Sequence, residues 1–426
     1  MPRWLRILLR TLVVVAVLLG ALFYLFAVYP RRVTHPPLVL AKGAMAIQHA
    51  RIYTSPADPV IPDGTILIQD GRIAAVGADV TIPAGTELIP CDGCTVTAGY
   101  WNAHVHFTEP KWTMAEWKST ADLKPQLADM LTSRGFTTVV DTGSNMINTL
   151  PLRRRIESGE LAGPYIYTAE SGLYPPHGIP FYLKESAPKW IQMLMPQPET
   201  PEQAVKVVER NIENGADITK LFTGSWVERG KVLSMPVEIA KAAVEETHRE
   251  GKLVFSHPSN LAGVRVAMDS GVDVLAHVPD DTKGIGPELF STMVQRKMAI
   301  IPTLKMFTTT VTSDPHYMDP MREEVRLFHG FGGQLIFGTD VGYMTDYTTA
   351  GEFAELTKCG LSSMDILAML TTNPAQRLGV LNEKGTIAVG KLADLTIVDG
   401  DPEADVMAFA KVRTTIRSGR IIYQRK

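Results

Sequence analysis

Histidine, aspartate and one lysine carry the chemistry in this chain, and they fall at the ends of apolar runs. The stretch Thr95–Thr108 (TVTAGYWNAHVHFT) is β-rich and closes on His104 and His106. Alternate side chains of a strand share a face, so these two imidazoles point the same way and can meet one ion. An isolated H-x-H is a weak signal, because paired core or surface histidines explain most occurrences. It gains weight from what recurs: Lys220 inside DITKLF, His257 after LVFS, His277 closing VDVLAH and Asp340 after LIFGT.

Imidazoles and carboxylates suit borderline divalent ions, zinc above all, with manganese, iron and cobalt as alternatives. His104, His106 and Asp340 can hold one ion, and His257 with His277 a second. Two ions about 3.5–4 Å apart need an anionic bridge. An ammonium is an odd neighbour for metals. Lys220 makes sense there if carbon dioxide adds to its desolvated amine, because the carbamate supplies two oxygens. A metal-bridging hydroxide then forms near neutral pH. Asp340 is the catalytic residue in this reading. It orients the hydroxide, takes its proton on attack and passes it to the leaving nitrogen. Each residue also has a plainer account. Lys220 can snorkel between sheet and helices, and His257 and His277 can be satisfied core histidines. Asp141, in VVDTG, reads as a structural hydrogen-bonder, and Lys305 as a surface lysine rather than an anion site. His35, His49, His248, His316 and His329 fall away from strand ends.

These residues need a frame that brings strand ends together. Eight apolar runs alternate with helical patterns: Thr95–Thr108, FTTVVDT, YIYTA, DITKLF, LVFS, VDVLAH, AIIPTL and LIFGT. The helices have proper ends. Thr200-Pro201-Glu202-Gln203 supplies an N-cap, a proline at the first position and a capping-box partner, and Gly215 stops that helix. Pro236–Glu250 is apolar at helical spacing and closed by Gly251. Eight strands each followed by a helix give an α/β fold, a distorted (β/α)8 TIM barrel, whose chemistry sits at the strands' C-terminal ends. Strand-like segments at both chain ends, including GTILIQDGRIAAVG and VRTTIRSGRIIY, point to a discontinuous flanking β-sandwich. The expected domains are an anchor at 1–32, the β-sandwich at 37–97 plus 378–426, and the barrel at 98–377.

Composition narrows the partners. The chain has 426 residues, 45% hydrophobic and 20% charged, with a net charge of −3. With no basic run, nucleic acid is excluded as the expected partner. The uncharged run from Leu12 to Tyr29 lies between Arg3, Arg6 and Arg10 on one side and Arg31 and Arg32 on the other. It predicts a single-pass transmembrane helix with the body on the exported side, periplasmic or extracellular, a cleaved signal peptide being the alternative. Cys91 and Cys94, in C-D-G-C, are expected to flank a hairpin turn, bridged if the body is exported and free otherwise.

The motifs AGYWNAHVHF, ITKLFTG, FSHPSN, LAHVPDD and FGTDVG, with the tail TTNPAQRLGVLNEKGTIAVGKLADLTIVDGDP, resemble the amidohydrolase superfamily of metal-dependent hydrolases, in its imidazolonepropionase-like branch. The resemblance covers residues 40–426. It implies hydrolysis of an amide or ring C–N bond. A lysine at the end of strand four resembles the dipeptidases acting on Xaa-Pro or Xaa-Arg substrates, in which that lysine is carboxylated and two zinc ions bind. His177, in PPHG, looks like the loop histidine that contacts substrate in relatives. Asn102 stands where the family often has aspartate, keeping a hydrogen-bonding role without the charge. From this sequence itself, the segment Ser171–Pro198 is proline-rich and carries Tyr174, Phe181, Tyr182, Trp190, Met193 and Met195. Such a loop at the mouth lines an apolar pocket or acts as a lid, with Tyr174 as its substrate contact. It can instead dip into the membrane or pack in a homo-oligomer. The expected function is a zinc-dependent amidohydrolase acting on a small-molecule amide, either a dipeptide or an N-acyl amino acid. The alternatives are a mononuclear cyclic-amide hydrolase or deaminase, and a non-catalytic binding barrel.

Overall fold

The computed structural model describes residues 2–23, 37–310 and 314–426. An apolar helix, α1 (Arg3–Phe23), comes first. Its stretch Arg3–Ala21 is long and apolar enough to cross a membrane, and none of it is buried against the rest of the chain. The end of the expected run, residues 24–29, lies outside the described residues, as do Arg31, Arg32, His35 and the Trp190 side chain.

The body is built on eight strands that run parallel in two groups. The first group is β1 (Tyr100–Val105), β2 (Phe136–Asp141) and β3 (Tyr165–Thr168). The second is β4 (Ile218–Phe222), β5 (Leu253–His257), β6 (Val274–Leu275), β7 (Ala299–Ile300) and β8 (Gln334–Leu335). All residues of β1 and β2 are buried. That is the burial of parallel strands covered on both faces, and it takes in polar residues such as Asn102, His104 and Asp141. Seven of the expected runs contain a strand, and the eighth, LIFGT, meets β8 only at Leu335. The last three strands are short, with one further bond each before the chain turns outward: Ala276 N to Ser256 O, Ile301 N to Leu275 O, and Ile336 N to Ile300 O.

Backbone bonds also join the two groups at both edges. On one side Ala103 N donates to Phe337 O, Asp340 N to His104 O and His106 N to Val341 O. On the other, Leu173 N donates to Lys220 O and Phe222 N to Leu173 O. One apolar cluster draws on all eight strand regions, through Ala103, Val140, Ala169, Ile218, Phe255, Val274, Ala299 and Ile336. The helices between strands end as the sequence requires. Thr200 Oγ1 accepts from Gln203 N at 3.3 Å to start Pro201–Glu213, and Gly215 leaves that helix with φ of 100°.

The two ends of the chain do meet in one β unit. Leu395–Asp399 pairs antiparallel with Cys94–Ala98, Ile397 opposite Val96. Its eight strands form a single hydrogen-bonded sheet, where two sheets were expected. An isoleucine-rich cluster, including Ile47, Ile66, Val96, Ile397 and Ile416, is buried against it. Cys91 and Cys94 are disulfide-bonded, with Cα atoms 5.2 Å apart. Their turn is not the hairpin that Asp92-Gly93 suggested. The strands on either side of it, Glu87–Pro90 and Cys94–Ala98, both run parallel to Ala44–Ile52. The turn kinks the chain alongside Ala44–Ile52 without reversing it.

Closing a four-residue ring restricts the unfolded chain by about 2 kcal/mol in the chain-entropy picture. Replacing both cysteines by serine is therefore expected to lower unfolding free energy by about that amount. Denaturant titration with and without reductant checks this; equal midpoints for native and replaced protein would contradict it.

Candidate active site

Strand alternation aims the key lysine. On β4, Thr219 faces the helix Val237–Arg249, where Thr247 donates to its hydroxyl at 2.8 Å. Its neighbour Lys220 therefore faces the other way, with Ile218 of the shared inner cluster. The amine is buried and has no hydrogen-bond partner. Burial pulls its pKa down to about 7, against the opposing pull of Asp340. The snorkelling alternative is excluded, because only 2% of the residue is exposed.

The imidazoles surround the same space. The ring of His277 lies 4.5 Å from that of His104 and 4.6 Å from that of His257. Asp340 Oδ1 is 3.0 Å from His106 Nε2 and 3.4 Å from His104 Nε2, while Oδ2 is 3.9 Å from His277 Nε2. Burial, then the charge of Lys220, holds His104 and His257 well below the usual histidine range. His277 is lowered by burial, then by His257 and Lys220. Burial would lower His106 too, but Asp340, Asp141 and the Gly143 carbonyl outweigh it and raise its pKa. Three neutral imidazoles and a carboxylate are a ligand set for a divalent ion. The ligand atoms of His104, His277 and Asp340 lie within 4.8 Å of one another. This trio crosses the division expected from sequence, in which His277 stood with His257 alone. The ring of His277 sits between those of His104 and His257, so it serves either side.

Two of the imidazoles are held by groups around them. His106 Nδ1 meets the Gly143 carbonyl at 2.8 Å, and His277 Nδ1 meets Thr303 Oγ1 at 2.6 Å, leaving the Nε2 atoms to face the centre. Such outer partners fix tautomer and ring orientation. Thr303 has φ of 50° and Asp340 φ of 57°, a strained region for residues with a Cβ. The pairing of β1 with β2 slips between Asn102 and Val105. Asn102 Oδ1 fills that gap, accepting from His104 N and Thr339 N at 3.2 Å each. A Cβ on Gly342 would lie 1.9 Å from His106 O, so glycine lets the Asp340 turn close on His106.

Other candidates divide. Asp141 is a buried hydrogen-bonder as expected, accepting from Ser144, Thr149 and Thr168 at 2.6, 2.8 and 3.0 Å. Lys305 is not at the surface. It is 7% exposed, its amine 2.8 Å from Asp346 and bonded to the Thr348 carbonyl, so it is not free for a substrate anion. Tyr174 is buried and stacks on Phe222 at 4.5 Å, which stacks on His257 at 5.1 Å. His177 is exposed. The Ser171–Pro198 segment contains two short helices, Phe181–Ser186 and Lys189–Gln192, and Tyr182 meets Tyr343 edge-on at 5.6 Å. Thr303, Gly143 and Phe222 escaped sequence reasoning; their one signal was adjacency to the strand ends in IIPTL, VVDTG and ITKLF.

Two more carboxyls follow β6 and β7, one half-buried and one buried. Asp280, three residues past His277, accepts from Trp226 Nε1 at 3.1 Å and is raised by burial to about 6. Glu324, in the helix Asp319–Gly330, is 4% exposed with no partner for either oxygen. Burial, then Asp280, raises its pKa to about 9.

A profile of the amidohydrolase family matches residues 95–422. The dihydroorotase of Clostridium acetobutylicum is 23% identical over 396 residues, covering 80% of this chain and 90% of that protein. The ochratoxinase of Aspergillus niger is 20% identical over 348 residues, covering 73% and 71%. A crystal structure of a Xaa-Pro dipeptidase with bound methionine superposes with a TM-score of 0.75 at 22% identity, over 90% of this chain and all of that one.

Between the unfolded carboxyl value and about 9, folded Glu324 holds a proton that the unfolded chain has released. Stability therefore falls as pH rises through that window, by at most about 1.4 kcal/mol per pH unit. Glu324→Gln is expected to remove this share. Thermal unfolding at pH 6 and 9 tests it, and equal losses in both proteins would contradict it.

Proposed function

The chain belongs to the amidohydrolase family, and from that premise we propose that it is a membrane-tethered, metal-dependent hydrolase of small amides. One observation carries the proposal: the buried, unpartnered amine of Lys220 among His104, His257, His277 and Asp340. A cation there is costly, and a carbamate formed from the neutral amine and carbon dioxide, with loss of one proton, is an anion that two metal ions would neutralise. His104, His106, Lys220, His257, His277 and Asp340 would hold those ions, with zinc the best match to this donor set. Bound ions supply Lewis acidity and lower the pKa of water toward neutrality.

The residues do the rest. Asp340 takes the proton of the attacking water on its carboxylate and delivers it to the amide nitrogen as the C–N bond breaks. The Gly143 carbonyl holds His106 through Nδ1, which turns its Nε2 toward the same space as Asp340 Oδ1, 3.0 Å away. Tyr174 and Phe222 form an apolar wall beside His257, and with the exposed His177 they are the proposed substrate contacts. The bonds at both edges and the shared cluster support reading the two strand groups as one (β/α)8 barrel at 98–377. The β unit at 37–97 and 378–426 flanks it.

A dipeptide or an N-acyl amino acid with an apolar group suits this wall. The name of one similar protein, a Xaa-Pro dipeptidase, supports an amide whose nitrogen belongs to an amino acid. A mononuclear reading has its own support in the compact trio His104, His277 and Asp340, and the dihydroorotase likeness would then point to cyclic amides. For location, residues 1–32 would anchor the chain through α1, and the arginines in its first turns and the Cys91–Cys94 disulfide favour the body on the exported, oxidising side.

Xaa-Pro dipeptides, N-acyl amino acids and cyclic amides, each with apolar and charged side groups, form the test panel. We expect turnover of apolar acyclic amides. Asp340→Asn should lower kcat by a factor on the order of 100 to 10,000. Turnover confined to cyclic amides would favour the mononuclear reading, and no turnover of any member would contradict the proposal.

A further inference from the structure

Large apolar side chains are left in water on one arc of the body. Met114 and Trp117 follow β1, Ile147 opens the helix after β2, Met193 and Leu194 follow β3, and Tyr343 follows β8. Trp117 is 69% exposed and Met193 78%. These four strands are neighbours, since β1, β2 and β3 pair in order and Val105 bridges to Val341 beyond β8. Among the described residues, the segments after β4 to β7 add Val237, at 37%, and Phe331, at 43%, which lies just before β8 at the far end of its segment. The other exposed large apolar residues of the body are Val39, Leu88 and Val389 in the terminal segments. The arc is tied together: Tyr182 packs on Tyr343, and Arg154, in the helix after β2, pairs with Glu116 of the loop after β1.

Scattered exposed apolar residues are ordinary, but a concentration on one side of an active-site mouth marks an interaction surface. Its occupant is set by the rest of the chain. The apolar span Arg3–Ala21, unburied, is long enough to cross a bilayer. Thirteen residues, 24–36, separate α1 from Pro37, a contour of at most about 45 Å, so the body stays close to any membrane that holds α1. The exposed Lys184 and Lys189, with Glu185 between them, precede Met193 and Leu194, the mix of cation and apolar side chain that suits an anionic lipid surface.

We propose that this arc rests on the bilayer that holds α1, so that the mouth takes amphiphilic amides from the lipid interface. The proposal rests on the tether reading, and it names the substrate class of the same site: amides whose apolar tail is lodged in the membrane. The N-acyl amino acids of the panel fit that class better than free dipeptides.

The test uses the full chain in phosphatidylcholine–phosphatidylglycerol vesicles. Trp117→Cys, Leu194→Cys and, as a control in the flanking unit, Val389→Cys are each labelled with a small fluorophore. Cys359 is buried and Cys91 is bridged to Cys94, so the introduced thiol is the one that reacts. Headgroup-nitroxide lipids should quench the labels at 117 and 194 several-fold more than the label at 389. Equal, weak quenching in protein that floats with the vesicles overturns the inference and leaves the tether standing. Labels at 117 and 194 that are shielded from iodide yet unquenched by lipid mean a second copy covers the arc, which also overturns it. Protein that does not float with the vesicles overturns both the tether and the inference.

Discussion

A primary amine with no hydrogen-bond partner, sealed beneath three neutral imidazoles and a carboxylate, is the constraint on which the site depends. Burying an ammonium without a counter-charge is far costlier than burying a neutral amine, and the lysine responds by losing its charge advantage near pH 7. A neutral lysine amine is a nucleophile. In the proposed reading, the same burial that removes its charge would suit it to carbon dioxide, and the neutral imidazoles around it would serve as ligands. Proton affinity, metal affinity and burial are one property of this pocket.

The frame around the pocket explains how such a costly arrangement persists. Its members come from β1, β4, β5, β6 and the turn after β8, and several are fixed by something outside the pocket. Asn102 fills the irregularity in β1, Thr303 holds His277 from a left-handed backbone position, and Gly342 allows the Asp340 turn to lie against His106. Strain of this kind survives only where surrounding hydrogen bonds over-determine it. The disulfide and the isoleucine-rich sheet lie in a separate cluster, so they stabilise the chain without shaping the pocket.

Much of this was legible in the sequence, for physical reasons. The spacing of His104 and His106 puts both on one face, and the apolar run before His104 announces a buried strand, whereas the inward aim of Lys220 needed the contact of Thr219 with Thr247. Other features depended on distances between residues far apart in the chain. The trio of His104, His277 and Asp340 joins positions up to 236 residues apart, which no local period encodes. Lys305 reads as a surface lysine until the loop at Asp346–Thr348 folds over it. Asp92-Gly93 has hairpin chemistry, yet the flanking strands choose parallel partners on Ala44–Ile52, so the turn becomes a kink. Glu324 gave no signal at all: its helical periodicity is ordinary, and its lack of a partner is a tertiary fact.

The most direct test of the account is the metal content of the full chain beside its Lys220→Ala variant, each purified with zinc and bicarbonate and measured by mass spectrometry of the bound metal. The account predicts about two ions per chain in the native protein and a clear loss in the variant, since the bridging anion is gone. One ion in both would make Lys220 a bystander and contradict the carbamate-bridged site.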